Sequence, residues 1–133
     1  MTIKERLRDY RGLGAEIESL EDERDQWVQS QTGRLPHAKR SDEIDYKDDT
    51  GDIAAMIERK CDEIDRKRRE LYLENERLTR LIDRLPRTQR TLIRNRYMIG
   101  KSWRDIADKI GYSLDGTYKL HRRALEKLEK LRK

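Results

Sequence analysis

Residues 102–128 read SWRDIADKIGYSLDGTYKLHRRALEKL. Within them Trp103, Ile106, Ala107 and Ile110 recur at three and four residues, the period of one buried helical face. Ser102 stands just before that face as an N-cap. Gly111 follows it, where a sharp turn needs a positive φ. Ser113 then caps a second helix, expected to run to about Leu131, with Thr117, Leu120, Ala124, Leu125 and Leu128 as its inner stripe. Ala107 is small where the two helices must cross closely. A short helix, a tight glycine-containing turn and a longer basic helix make a helix-turn-helix.

The residues left on the outside of this motif carry its chemistry. Leu114, Asp115, Tyr118 and Lys119 face outward at the start of the last helix, where side chains reach base edges in a major groove. Arg122 and Arg123 lie one turn on, at the place of phosphate contacts. Arg104 and Ser113 complete the candidate DNA-binding set, and Arg94, Arg96 and Lys101 add charge nearby. Tyr97, Trp103 and Tyr112 read as packing residues and Tyr118 as the exposed aromatic. His121 has no second histidine near it in sequence, and a structural or phosphate-contacting role fits it better than metal binding. Upstream, Leu92, Ile93, Tyr97 and Met98 predict a helix over about Arg87–Ile99, ended by Gly100.

The chain before Pro86 has a different pattern. Ile3, Leu7, Tyr10, Leu13, Ile17, Leu20, Arg24 and Trp27 form one narrow seam on a helix from about Ile3 to Ser30, with Gly12 and Gly14 flanking a break in its heptad. A second stripe runs through Ile53, Ile57, Cys61, Ile64, Leu71, Leu78, Ile82 and Leu85. Asp52 is its expected N-cap, and Pro86 ends it, since the residue before proline disfavours the α conformation. Arg68 and Asn75 interrupt the stripe, either as register-setting or dimer contacts or as tolerated edge positions. Between the two helices, residues 31–51 lack apolar periodicity and read as a loop. Its acidic cluster, Asp42, Glu43, Asp45, Asp48 and Asp49, does not have the spacing of a calcium loop.

Composition sets the outer limits. Of 133 residues, 44% are charged, against about a quarter in ordinary domains, and 34% are hydrophobic. That little apolar material cannot fill a wide core, so slender helices are expected rather than a sandwich or a doubly wound sheet. Residues 1–85 hold 18 Lys and Arg against 22 Asp and Glu, while 86–133 hold 14 against 5. A basic C-terminal module therefore follows mildly acidic helices, and an anionic partner is expected for it. No apolar run is long enough to span a membrane, and no secretory h-region opens the chain. The single Cys61 reads as an inert thiol on the apolar stripe and excludes an internal disulfide. No nucleophile–base pair, phosphate loop or metal-ligand spacing is present, so the expectation is no enzyme, no metal and no cofactor.

SWRDIADKIGYS followed by YKLHRRALEKL resembles the fourth region of sigma-70 factors, which reads the −35 promoter element. It resembles more closely the small phage late-transcription regulators of the ArpU/RinA type, through Leu85, Pro86, Arg96, Tyr97, Gly100, Ser102, Trp103, Ile106, Ala107, Gly111, Tyr112, Ser113, Tyr118, Leu120, His121, Arg123, Ala124, Leu125 and Leu128. Leu114 stands where the sigma pattern usually has an arginine, and Gly116 falls early in the recognition helix, so the −35 preference does not transfer. Nothing resembles the sigma regions that melt promoters.

The expected fold is all-α. A long antiparallel helical hairpin, coiled-coil-like, occupies 1–85 with its loop at about 31–51, and a sigma-70 region 4-like helix-turn-helix domain occupies 86–133. The expected function is a sequence-specific, double-stranded DNA-binding transcription regulator of phage or prophage genes, in the cytoplasm of a bacterial host. RNA polymerase and a second copy joined through the N-terminal helices are further expected partners. The hairpin pattern fits closure within one chain or pairing between two. Two other readings use the same features. One is a small terminase-like packaging protein, which would assemble as a ring; the other is a sigma-like interaction module on RNA polymerase.

Overall fold

The computed structural model describes residues 1–31 and 46–132. Among them are five helices and no strand. Helix α1 spans Ile3–Gln31 and α2 spans Tyr46–Ile82. Helix α3 runs over Arg87–Ile93 and continues as a π-helical turn over Arg94–Ile99. Helices α4 and α5 span Trp103–Ile110 and Leu114–Leu131.

Packing divides the chain differently from the expected border at Leu85–Pro86. One compact unit joins Met1–Leu13 to Leu71–Lys133, and the other is Gly14–Glu70. In the first unit Ile3 and Leu7 from α1, Leu78 and Ile82 from α2, and Leu85 share a single buried cluster with Leu92, Ile93, Tyr97, Ile106, Leu120, Ala124 and Leu128. Helix α2 ends at Ile82, short of the expected stop at Leu85–Pro86, and Pro86 stands at the start of α3, so this break separates helices without ending a core. The physical reason is area: helices as short as α3 and α4 bury too little apolar surface on each other, and the ends of α1 and α2 supply the remainder. Here α1 and α2 run antiparallel, tied by a bidentate pair from Arg6 to Glu74 and by Asn75 Nδ2 donating to Tyr10 Oη at 2.7 Å.

In the second unit the two helices are again antiparallel. Ile17 and Ile64 are its buried apolar residues among those described. Ion pairs of Lys67 with Glu16, Arg68 with Glu21 and Lys60 with Glu23 flank them. Arg68 and Asn75, the two interruptions of the stripe, both have interhelical partners and are not idle edge positions.

Helix α2 begins at Tyr46, so the loop expected to reach residue 51 ends earlier and Asp52 is interior rather than a cap. A single interior glycine costs only about 1 kcal/mol relative to alanine, too little to stop a helix of 37 residues at Gly51. Nothing approaches the position of a Cβ at Gly51 within 4 Å. Residues 32–45 of the expected loop, with Asp42, Glu43 and Asp45, lie outside the described residues, as do the side chains of Asp48 and Asp49.

Candidate nucleic-acid interface

The turn signals act at the expected places. Ser102 is extended, and its hydroxyl accepts from Asp105 N at 3.2 Å. Gly100 closes the π-helical turn at φ 91°, and Gly111 closes α4 at φ 76°, both in the left-handed region. Ser113 caps α5 by accepting from Gly116 N at 3.0 Å. Gly116 has a local use: a Cβ there would stand 3.1 Å from Ser113 Oγ and 3.5 Å from Tyr112 Cδ2, crowding the cap. Thr117, fully buried, satisfies its hydroxyl by donating to Ser113 O at 2.8 Å.

The π-helical turn was not legible in the periodicity. Asn95 organises it. Its buried side chain donates to Thr91 O at 2.7 Å and accepts from Lys109 Nζ at 3.3 Å, while its carbonyl accepts from Gly100 N and Lys101 N. The turn thereby aims Arg96 and Tyr97 at the later helices. Arg96 Cζ lies 4.5 Å from the centre of the Trp103 ring, a cation–π contact. Trp103 meets the edges of Tyr118 at 5.2 Å and His121 at 4.7 Å. His121 Nε2 is 2.7 Å from Tyr97 Oη. Burial, and then the fields of Lys4, Arg96 and Arg8, push the His121 imidazole down to about 4. His121 is therefore neutral at ordinary pH and serves the packing of α5.

With α5 held in this way, the candidate residues fall as follows. Leu114 and Tyr118 are 39% and 41% exposed, and Asp115, Lys119, Arg122 and Arg123 are also exposed. Thr117, Leu120, Ala124 and Leu128 bury the opposite face. At 100° per residue Leu114, Asp115, Tyr118, Lys119 and Arg122 share the outer face, with Arg123 at its far edge. Asp115 Oδ2 and Lys119 Nζ form an i,i+4 pair at 3.2 Å. Ser113 is committed to its cap as an acceptor, and its proton remains to donate. Arg104 on α4 is exposed and lines a cleft of about 320 Å³ with Ala107, Asp108, Tyr112 and Leu114. Tyr112, expected in the core, is instead 45% exposed, because the turn after Gly111 turns it toward solvent. Of the supporting cations, Arg94 is engaged with Asp83. Among the described residues no group of three or more His, Cys, Asp or Glu is placed to hold a metal ion, and no helix is long and apolar enough to cross a membrane.

This geometry, a short capped helix, a glycine turn and a longer helix with an exposed outer row, is that of the helix-turn-helix class. Residues 75–128 match the family model described as sigma-70, region 4, a DNA-binding regulatory module. The chain thus carries a sigma-70 region 4-like domain. The match opens at Asn75, inside α2, which agrees with Leu78, Ile82 and Leu85 belonging to the same core. No curated protein and no solved structure matches the chain.

Proposed function

We propose that the chain is a sequence-specific, double-stranded DNA-binding transcription regulator of phage or prophage genes, acting in the bacterial cytoplasm. The observation that carries the reading is the exposed outer row of α5 on a helix fixed by Ser113 and by the Trp103–His121 packing, within a domain similar to sigma-70 region 4. In this reading Leu114, Asp115, Tyr118 and Lys119 meet base edges, while Arg104, Ser113, Arg122 and Arg123 hold phosphates. The phage assignment rests on the resemblance to ArpU/RinA-type regulators. Contact with RNA polymerase follows from the sigma-like domain, and pairing of two copies would use the N-terminal helices. The DNA-binding domain in this reading is 86–133, with Leu78, Ile82 and Leu85 contributing to its core.

The test is binding of the purified chain to genomic fragments of its source near physiological salt, with competitor DNA. A discrete protected site upstream of an operon is the expected result. Protection inside a packaging gene, with a ring of subunits in light scattering, would favour the packaging role. No preference over competitor, with tight polymerase binding, would favour the interaction module.

A further inference from the structure

Lys4, Arg8 and Arg11 are four and three residues apart, so they share one face of the first three turns of α1. The acidic neighbours Glu5 and Asp9 lie farther round the helix, and Arg6 sits on yet another side, engaged with Glu74. The basic face comes against the helix-turn-helix at Gly100 and Arg96. Arg11 lies over Gly100, its Nη2 3.7 Å from where a Cβ would stand. Arg96 lies on Trp103, and Trp103 on Tyr118 of the recognition helix. Arg11 at Gly100 and the Arg96–Trp103–Tyr118 contacts thus set the basic face of α1 beside the packing that leads to the outer row of α5.

Lys4, Arg8 and Arg11 are exposed, and among the described residues no ion pair to a carboxylate joins them or Arg96. Arg96 Nη1 is bonded to Lys101 O at 3.2 Å, a neutral partner. Their fields fall on shared neighbours. Burial first, and then Arg11, pushes the Arg96 guanidinium below its ordinary value. Elsewhere this chain pairs its cations freely, as Arg6, Lys60, Lys67, Arg68 and Arg94 show. Here four cations converge unneutralised, an arrangement that an external polyanion relieves. Duplex DNA, with a negative charge every ~1.7 Å of axis, matches an extended row of this kind.

We propose that Lys4, Arg8 and Arg11, together with Arg96, form a second phosphate-binding surface that grips the backbone of the duplex whose bases α5 reads. The proposal rests on the DNA-binding reading above. It makes the first three turns of the chain part of the DNA interface, although they lie outside the region matched to the sigma family.

The experiment compares the full-length chain with K4Q/R8Q/R11Q on mixed-sequence duplex DNA over a range of salt. Each lost phosphate contact lowers the slope of log affinity against log salt by about 0.9, so a fall of about 2–3 is expected. The control R59Q/R66Q/R69Q makes the same change in charge at three exposed arginines that form no ion pair among the described residues, and it is expected to keep the wild-type slope. The conservative K4R/R8K/R11K is expected to keep it too, and circular dichroism with a matching Tm establishes that each variant is folded. An unchanged slope in K4Q/R8Q/R11Q, or an equal fall in the control, overturns the proposal alone. Failure of the wild-type chain to bind any duplex overturns it together with the reading on which it rests.

Discussion

Tyr97, on the π-helical turn after α3, and His121, on the recognition helix, are joined by a 2.7 Å contact between Oη and Nε2, with their rings stacked at 5.7 Å. This pair locks the recognition helix to the element that carries Arg96. It also makes the lock sensitive to acid. The imidazole is held down to about 4 in the folded chain, by burial and then by Lys4, Arg96 and Arg8, against an ordinary value near 6.5. A depressed folded value means that the unfolded chain binds the proton more readily. The contribution of His121 is therefore full above about pH 6.5 and is lost as pH falls toward 4. Thermal unfolding should show a decline of Tm across that window, and H121Q should show a shallower one. Parallel Tm profiles for the two chains would remove His121 as a source of the acid sensitivity.

The hydrogen bond from Asn75 to Tyr10 ties the α1–α2 seam in the unit that holds the helix-turn-helix. Asn75 also accepts from Thr79 Oγ1 at 3.4 Å, a weaker contact. Removing either partner leaves a half-buried polar group unsatisfied, which costs on the order of 1–2 kcal/mol. Removing both costs less than the sum. Urea unfolding of N75A, Y10F and the double variant should give a coupling of about 0.5–1.5 kcal/mol. Strict additivity would show that the bond contributes nothing beyond packing.

Much of this molecule is legible in its sequence, because its helices are punctuated by residues with one physical use each. Ser102, Gly111 and Ser113 fix both ends of the turn, and the three- and four-residue spacings of α4 and α5 name their buried faces. Three features escape that reading. The π-helical turn depends on a buried Asn95 whose four partners converge only in the folded chain. The shared core depends on Ile3 and Leu7 joining one cluster with Leu92 and Leu128, about 85 to 125 residues away along the chain, which no local period encodes. The exposure of Tyr112 follows from the direction in which a left-handed glycine turns the chain, and an aromatic beside an apolar helix gives no hint of it. The row Lys4–Arg8–Arg11 carries no signal apart from other surface charge in the sequence, and its meaning comes from its position near Gly100 and Arg96.

Gly111 offers a clean test of the turn. Its φ of 76° is costly for any residue with a Cβ, although nothing lies within 4 Å of the added atom. Strain without a steric clash predicts that G111A loses about 1–2 kcal/mol of stability. The loss should appear as a lower urea midpoint with an unchanged slope. Because the two helices keep their packing, DNA affinity measured well below that midpoint should stay near that of the wild type. A large loss of affinity in a fully folded G111A chain would mean that the turn itself touches the duplex.

The division of labour along α5 can be separated by two substitutions. Lys119 is paired with Asp115 at 3.2 Å, and both side chains are largely exposed. Exposed pairs of this kind contribute little, so Lys119 can leave Asp115 for a base acceptor at little cost. Asp115, once released, is an acceptor suited to the exposed amino group of cytosine. If Lys119 reads a base, K119A should reduce affinity for the protected site by about 1–3 kcal/mol and affinity for competitor DNA much less. Arg123 lies at the edge of the same face, where a backbone contact is expected. R123A should weaken site and competitor alike and lower the salt slope by about 1. Equal losses on both DNAs for K119A would move Lys119 to the phosphate group, leaving Leu114, Asp115 and Tyr118 to carry sequence preference.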